Sequence, residues 1–312
     1  MPSRARPVVL GVGFLGLALV PVLAAVLNEP FYLDLFRRIM IFAIAAVSLD
    51  LILGFGGMVS FGHAAYLGVG AYAVAVPAFY GIESGLVQWP LAMLASAAAA
   101  FVIGAVSLRT SGMSFIMITL AFAQMFYYLG ISINAWGGDD GMRLAHRSRL
   151  PALDLGNATV FYYLVLAILI VLLWLGHRLV HARFGTVLRA ARSNEPRMRA
   201  IGFSTLRYKL VAFVLAGAVC GLAGALLTNQ TDYLTPSYMH WTRSGEIMVM
   251  VILGGMGTLF GPVLGAAAYL LLEDTLSAWT VHWQIVLGPL LVLVVLYARR
   301  GLYGLLAGAR DG

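Results

Sequence analysis

The chain has 312 residues, of which 61% are hydrophobic and only 11% charged, and its mean hydropathy is +0.91. Soluble domains carry roughly 25% charged residues, so this composition excludes a water-soluble protein with an ordinary charged surface. The formal net charge is +7, but the basic residues collect between apolar runs, which indicates membrane orientation rather than nucleic-acid binding. The single cysteine, Cys220, excludes an intrachain disulfide.

Nine predominantly apolar stretches follow one another along the chain, and most approach the roughly 20 residues that a helix needs to cross the hydrocarbon core of a bilayer. They lie at about 8–27, 33–53, 58–80, 88–107, 113–133, 158–176, 210–229, 244–273 and 284–298. Two long polar connections separate them, at 134–157 and at 177–209. We call residues 177–209 the basic loop.

The distribution of Lys and Arg predicts the orientation, because these residues collect on the cytoplasmic side. The basic loop is therefore predicted to be cytoplasmic, since it contains Arg178, Arg183, Arg189, Arg192, Arg197, Arg199, Arg207 and Lys209. Both termini are predicted to be cytoplasmic from Arg4, Arg6, Arg299, Arg300 and Arg310. Arg37 and Arg38 do not fit this orientation.

The stretch 244–273 must begin and end on the outer side if both the basic loop and the C-terminus are inside. It contains several helix-breaking residues, namely Gly254, Gly255, Gly257, Gly261 and Pro262. We expect two half-length helices that meet at a re-entrant break. The predicted fold is an all-α polytopic membrane protein, a single domain over 1–312, with about eight transmembrane helices plus this broken pair, or ten helical segments.

Irregular backbone at membrane depth persists only where it is buried in protein or lines a wet cavity. The break at 254–262 and a second glycine cluster at 54–70 are therefore candidates for lining a transport path. The candidate path residues are Ser60, His63, Gln124, Gly254, Gly255 and Gly257. Close helix packing through small residues is the alternative, as is a neutral His63 that bonds a neighbouring helix. Glu246, at a predicted helix start, is interpreted as a charge that complements the helix dipole.

Four segments resemble, in order, the LivM-type permeases of branched-chain amino acid ABC importers. They are GFGGMVSFGHAAYLGVGAY at 54–72, LRTSGMSFIMITLAF at 108–122, RFGTVLRAAR at 183–192 with RYKLVAF at 207–213, and MVILGGMGTLFGPVLGA at 250–266. The resemblance implies the ABC importer permease fold in a bacterial inner membrane. It also implies a path for branched-chain or other hydrophobic amino acids, with urea or short amides as the alternative cargo. A secondary transporter driven by an ion gradient is the alternative from another class.

The same resemblance implies four kinds of partner: a second, LivH-like permease, two cytoplasmic ATPase subunits, an extracytoplasmic solute-binding protein, and the lipid membrane. The chain itself has no GxxxxGK[ST] phosphate-binding loop, because its only lysine is Lys209. It is therefore predicted not to be an enzyme and to bind no cofactor or metal, with ATP and Mg²⁺ held by the partner ATPases.

Two loops are predicted to dock these partners. In the basic loop, the candidate ATPase-coupling residues are Arg183, Arg189, Arg192, Arg197, Ala200 and Gly202, since Ala-Ile-Gly at 200–202 resembles the end of a coupling motif. The alternative is a basic loop held against anionic lipid. In the outer loop 134–157, the candidates for docking a binding protein are Trp136, Asp139 and Asp140, and a solvated turn is the alternative.

Overall fold

The computed structural model describes residues 5–151, 153–280, 282–297 and 301–306. Within these residues the chain forms α-helices and one two-stranded sheet. The helices are α1 (Ala5–Leu27), α2 (Pro30–Asp50, continued by a π-helical turn at Leu51–Phe55), α3 (His63–Phe79), α4 (Gly85–Ser107), α5 (Met113–Ser132), α6 (Ala158–His181), α7 (Arg183–Ser193), α8 (Glu195–Ala200), α9 (Thr205–Thr231), α10 (Trp241–Gly254), α11 (Gly261–Trp279), α12 (Trp283–Tyr297) and α13 (Gly301–Leu306). The strands β1 (Met142–Arg143) and β2 (Tyr233–Leu234) pair antiparallel.

Five helices in the described part of the chain are long and apolar enough to cross a membrane: α2 with its π-helical turn, α4, α5, α6 and α9. Shorter apolar helices lie at Gly13–Leu27 and His63–Phe79. The protein is thus a polytopic helical membrane protein, and eight full crossings remain a prediction. Arg4, Arg299, Arg300 and Arg310, on which the predicted location of the termini partly rests, lie outside the described residues.

The two ends of the helical bundle differ in character. At one end, the sheet packs beside the outer loop, where the amide of Leu144 donates to the carbonyl of Asp232 over 2.9 Å. We call this the sheet end. At the other end, α7 and α8 lie under the membrane helices, where the ammonium of Lys209 contacts Glu195 over 2.5 Å. We call this the basic end.

Two consecutive halves of the chain have the same order of elements. In the first half, the long helix α2 leads to an irregular segment at 56–62, the shorter helix α3 and then α4. In the second half, α9 leads to an irregular segment at 232–240, then α10 and α11. Because α2 runs to the basic end and α9 to the sheet end, the halves have opposite orientations, as in transporters with inverted repeats.

The two halves interlock. Both α3 and α4 pack against α9, while α10 and α11 pack against α2. Accordingly α2 and α9 are the most buried long helices, with 89% and 67% of their apolar windows buried, against 22–33% for α4, α5 and α6. The core of the bundle therefore lies along α2 and α9, and the flanking helices carry the surface that faces lipid.

The predicted break in the stretch 244–273 is present at 255–260, but the helices on either side do not have the predicted bounds. The helix α10 begins at Trp241 and α11 continues to Trp279. The span predicted from residue 58 begins only at His63, because the amide of Met58 turns back to the carbonyl of Ile52 over 2.9 Å and ends the preceding helix. The irregular segment 232–240 was not predicted.

A close helix crossing gives a direct test of this packing. Gly224 of α9 lies against the backbone of Leu67 in α3, so that a β-carbon there would overlap the Leu67 carbonyl. We expect Gly224→Val to separate α3 from α9 and to cost about 1–3 kcal/mol or more of stability, measured as a lower melting temperature in detergent. The matched control is Gly16→Val, because open space surrounds Gly16 in α1. Equal melting temperatures for the two variants would contradict the crossing.

Candidate functional site

The two glycine-rich breaks predicted from the sequence meet each other at the basic end. The amide of Gly257, in the break between α10 and α11, donates to Asp50 Oδ1 over 2.8 Å. Asp50 is only 1% exposed and lies at the end of α2. A carboxylate thus provides the hydrogen-bond acceptor for an amide that has left helical geometry, as buried backbone groups require. We call this contact the break junction.

Arg192 brings the basic loop into the break junction. Its guanidinium donates to the carbonyl of Gly54, within the π-helical turn that follows α2. Its aliphatic stem packs on Gly57, and its Nη1 faces Gly257. Arg192 was predicted to contact an ATPase, whereas the structure places its head group against both breaks of the membrane domain. One side chain of α7 therefore contacts the irregular backbone of both halves.

A second layer of contacts lies deeper in the bundle around His63. The Nε2 atom of His63 is 2.7 Å from Ser48 Oγ in α2, and its carbonyl accepts a hydrogen bond from Cys220 Sγ in α9 over 3.4 Å. The His63 side chain is fully buried. The imidazole therefore joins α2 to α3, and the backbone of the same residue joins α3 to α9.

The starts of the two shorter helices meet near this layer. The amide of Ala64, in the first turn of α3, donates to Ser244 Oγ of α10 over 2.8 Å. Ser60 is also fully buried, and its Oγ accepts from the amide of Gly62 over 3.1 Å. Both candidate path residues, Ser60 and His63, thus make internal hydrogen bonds, and their contact with a solute remains a prediction.

Gln124 lies in α5 near aromatic side chains of the other half. Its Oε1 atom is buried and has no hydrogen-bond partner among the residues that the structure describes. One turn further along α5, Tyr127 packs edge-to-face on His240 with ring centroids 5.0 Å apart. Trp241 packs against Phe61 at 6.3 Å. Sequence reasoning missed this aromatic group because the segment 232–240 was not recognised as returning into the bundle.

The remaining path candidates, Gly254 and Gly255, are buried at the basic end. A β-carbon on Gly254 would overlap the backbone of Gly261, which begins α11. The helix α13 also contacts this break, since Gly301 lies against the backbone of Gly255. Close packing accounts for these two glycines in the structure, and their place in a solute path remains a prediction.

The basic loop is a helical hairpin that is fixed to the membrane domain. Asn194 ends α7 and caps α8, since its Oδ1 accepts from the amide of Arg197 over 3.0 Å. Pro196 therefore lies in the first turn of α8, a position that proline favours, and does not interrupt a helix. The carboxylate of Glu195 contacts Lys209 Nζ at 2.5 Å and Thr205 Oγ1 at 2.9 Å, which connects α8 to the start of α9.

These contacts also set the charge state of Glu195. Burial by itself raises the pKa of Glu195, but hydrogen bonds from Lys209, Thr205 and Arg199 outweigh burial and lower the pKa to about 2. The Arg199 guanidinium lies 2.7 Å from Glu195 Oε1. Glu195 and Lys209 line a cleft of about 390 Å³ together with residues 57–59 of the irregular segment after α2. The hairpin and this segment thus form the walls of one cleft.

The end of α8 presents an apolar patch at the basic end, formed by three exposed side chains. Ile201 is 62% exposed, Phe203 38% and Leu206 41%. Gly202 between them has φ +91, a conformation that favours glycine. Ala200 and Gly202, both predicted to couple to an ATPase, therefore lie beside apolar side chains in the exposed loop that follows α8.

The other docking candidates also occupy the two ends of the bundle. Arg183 and Arg197 are exposed at the basic end, and Arg189 donates back to the carbonyl of Val180 over 3.3 Å. At the sheet end, Asp139 and Asp140 are exposed and Trp136 is half-buried. Contact of these residues with partner proteins remains a prediction. Among the described residues, no group of three His, Cys, Asp or Glu side chains could hold a metal ion.

Comparison with known proteins decides the family. The profile described as "Branched-chain amino acid transport system / permease component" matches residues 31–295. The chain belongs to this family.

Among curated relatives, the permease is 28% identical over 296 residues to the high-affinity branched-chain amino acid transport system permease protein LivM of Salmonella typhimurium, covering 86% of this chain and 69% of LivM. It is 24% identical over 298 residues to the probable LivM of Methanocaldococcus jannaschii, covering 82% and 85%. It is 23% identical over 288 residues to LivH of Escherichia coli K12, covering 84% and 91%. No solved structure matches.

The contacts of Glu195 predict a pH dependence that is confined to the hairpin of the permease. Because the pKa of Glu195 is lower in the folded protein than the ordinary value of about 4.3, its stabilising contribution is present above pH 4.3 and is lost as the pH falls toward 2. We expect Glu195→Gln at pH 7 to speed amide hydrogen exchange in α8 about two- to fivefold, as for the loss of a partly exposed ion pair. After correction for intrinsic exchange rates, wild type should approach the variant near pH 2.5.

The control for this measurement is Asp154→Asn, which changes an exposed carboxylate at the sheet end. It should leave exchange in α8 unchanged. Identical exchange in wild type and Glu195→Gln at pH 7 would contradict the proposed role of the carboxylate in fixing the hairpin.

Proposed function

We propose that this permease and a second, LivH-like permease together form the translocation path of an ATP-driven importer for branched-chain amino acids. The observation that carries the proposal is the family match over 31–295, combined with relatives whose names specify high-affinity branched-chain amino acid transport. Similarity to both LivM and LivH supports a permease pair. Urea and short amides, the alternative cargo, are not named by these relatives.

The proposed importer has two cytoplasmic ATPase subunits and an extracytoplasmic solute-binding protein. ATP and Mg²⁺ would bind to the ATPases, because the only lysine of this chain is Lys209 and its ammonium is engaged by Glu195. The permease would lie in the inner membrane with its basic end and both termini in the cytoplasm, as the positive-inside rule favours. Eight crossings plus the α10–α11 pair form the proposed topology.

The hairpin of α7 and α8 within residues 177–209 is the proposed coupling element. The apolar patch around Ile201 is suited to a groove on an ATPase, because exposed apolar side chains outside the membrane mark protein contacts. Closure of the ATPase pair around ATP would move α8, and two contacts would carry that motion into the membrane domain. They are the Glu195–Lys209 ion pair to α9 and the Arg192 contact with both helix breaks.

The first test is reconstitution of the permease with its partner subunits in liposomes. We expect uptake of radiolabelled leucine that requires both ATP and the solute-binding protein. Uptake of urea or acetamide in place of leucine would support the alternative cargo. Leucine uptake by the permease alone, driven by a proton or sodium gradient, would contradict the importer assignment.

The second test separates ATP hydrolysis from transport at Arg192. Arg192→Ala removes the hydrogen bond to Gly54, and we expect leucine uptake per ATP hydrolysed to fall roughly tenfold, since a hydrogen bond from a charged group contributes about 1.5–3 kcal/mol. ATP hydrolysis should continue because the apolar patch is untouched. Arg207→Ala is the matched control, as Arg207 is exposed near the same end. An unchanged ratio in Arg192→Ala would show that Arg192 does not couple the two processes.

A further inference from the structure

Four charged side chains form two ion pairs between the two ends of the bundle. Arg38 Nη2 of α2 lies 3.1 Å from Glu273 Oε1 of α11, and Arg243 Nη1 lies 2.7 Å from Glu246 Oε2 within α10. The first pair joins residues 235 positions apart in the sequence. Three helices from both halves of the chain therefore contribute to these pairs.

The two pairs form one cluster. The charge of Glu273 reaches Arg243 as well as Arg38, so each pair lies within the field of the other. Tyr269 lies near all four charges, and it is only 5% exposed. We call Arg38, Arg243, Glu246 and Glu273 the charged cluster. It contains two positive and two negative groups and therefore carries no net charge.

The charged cluster lies well inside the bundle. Arg38 is more than two helical turns from the start of α2, and Glu273 is nearly two turns from the end of α11. Arg243 and Glu246 lie in the first turns of α10, which begins only after the segment 232–240 has returned into the bundle. The neighbouring Ser244 contacts the start of α3, next to the buried His63 layer.

The side chains of the charged cluster are accessible at this depth. The exposed fractions are 37% for Arg38, 18% for Glu273, 30% for Arg243 and 26% for Glu246. Charged groups that face lipid at membrane depth cost several kcal/mol, so such groups face a bundle interior, a partner or a wet cavity. The surface that exposes the charged cluster is therefore not a lipid-facing surface.

Sequence reasoning did not find the charged cluster. Glu246 was interpreted as a charge at a helix start, whereas its carboxylate is paired with Arg243. Arg38 was counted as an exception to the predicted orientation, whereas it is paired with a carboxylate from the other half. A pairing of residues from α2 and α11 cannot be read from one sequence, because it depends on how the two halves interlock.

We propose that the charged cluster binds the α-ammonium and α-carboxylate groups of an amino acid in transit. The inference rests on the proposed function, since it assigns the recognition of that cargo to named residues. A guanidinium pairs with a carboxylate and a carboxylate accepts hydrogen bonds from an ammonium. An amino acid offers both charges a few ångströms apart, so that it exchanges with the internal ion pairs without changing the net charge. Urea and neutral amides carry neither charge.

The test uses the complete importer in liposomes with the variants Glu246→Gln and Glu273→Gln. Each variant keeps the size of the side chain and removes one negative charge. We expect leucine uptake to fall about ten- to a hundredfold, as for loss of a hydrogen bond to a charged group, with the KM for leucine unchanged because the binding protein sets capture. Glu83→Gln is the matched control, since Glu83 pairs with Arg149 at the sheet end over 2.8 Å. Wild-type uptake in both cluster variants would overturn the inference.

A structural role for the ion pairs would also lower uptake, and two further measurements separate it. Melting temperatures of the cluster variants should remain close to that of Glu83→Gln. In addition, a diazirine analogue of leucine, photolysed during turnover of the wild-type importer, should label cluster residues or Tyr269, and excess leucine should suppress the labelling. Labelling confined to other sites, or cross-links from the cluster only to the second permease, would overturn the inference. Absence of leucine uptake in wild type would instead refute the proposed function.

Discussion

The fold depends on how backbone groups are paired where helices break inside an apolar bundle. No water reaches such groups, and an unpaired amide or carbonyl there costs several kcal/mol. In this permease, side chains from the opposite half supply the partners: Asp50 accepts from Gly257, and Ser244 accepts from Ala64. The basic loop supplies a third, because Arg192 donates to Gly54. Each break is therefore stable only while the other half and the hairpin remain in place.

This dependence makes the two halves mechanically inseparable. The shorter helices α3 and α10 begin next to each other and pack on α9 and α2 respectively, so that neither can tilt without changing contacts in the other half. Arg192 and Glu195 attach the hairpin at two points, the π-helical turn after α2 and the start of α9. A displacement of the hairpin therefore acts on the long central helices of both halves at once. Such paired attachment is what a subunit requires if an external motor is to move two repeats together.

Sequence reasoning located the features that depend on local chemistry. Runs of apolar residues revealed the helices, and glycine with Pro262 revealed the break at 255–260. The segment 232–240 escaped because it contains no glycine, and its return into the bundle is fixed by distant contacts such as the Ala64–Ser244 hydrogen bond. The start of α9 was placed too late because polar residues at 205–209 resemble loop residues, although Lys209 is paired with Glu195. The partners of Arg38 and Arg192 were hidden for the same reason, since both lie more than 130 positions away in the chain.

The pairing of charges inside the bundle also explains how a path can recognise a zwitterion without retaining it. Each Arg of the charged cluster already has a carboxylate partner, so a bound amino acid replaces existing ion pairs rather than satisfying vacant charges. When the amino acid leaves, the internal pairs re-form and repay the lost contacts. The net affinity is therefore a small difference between two similar sets of interactions, in keeping with the modest net value of partly exposed ion pairs. Tight capture then belongs to a separate binding protein, while the path retains selectivity for solutes that carry both charges.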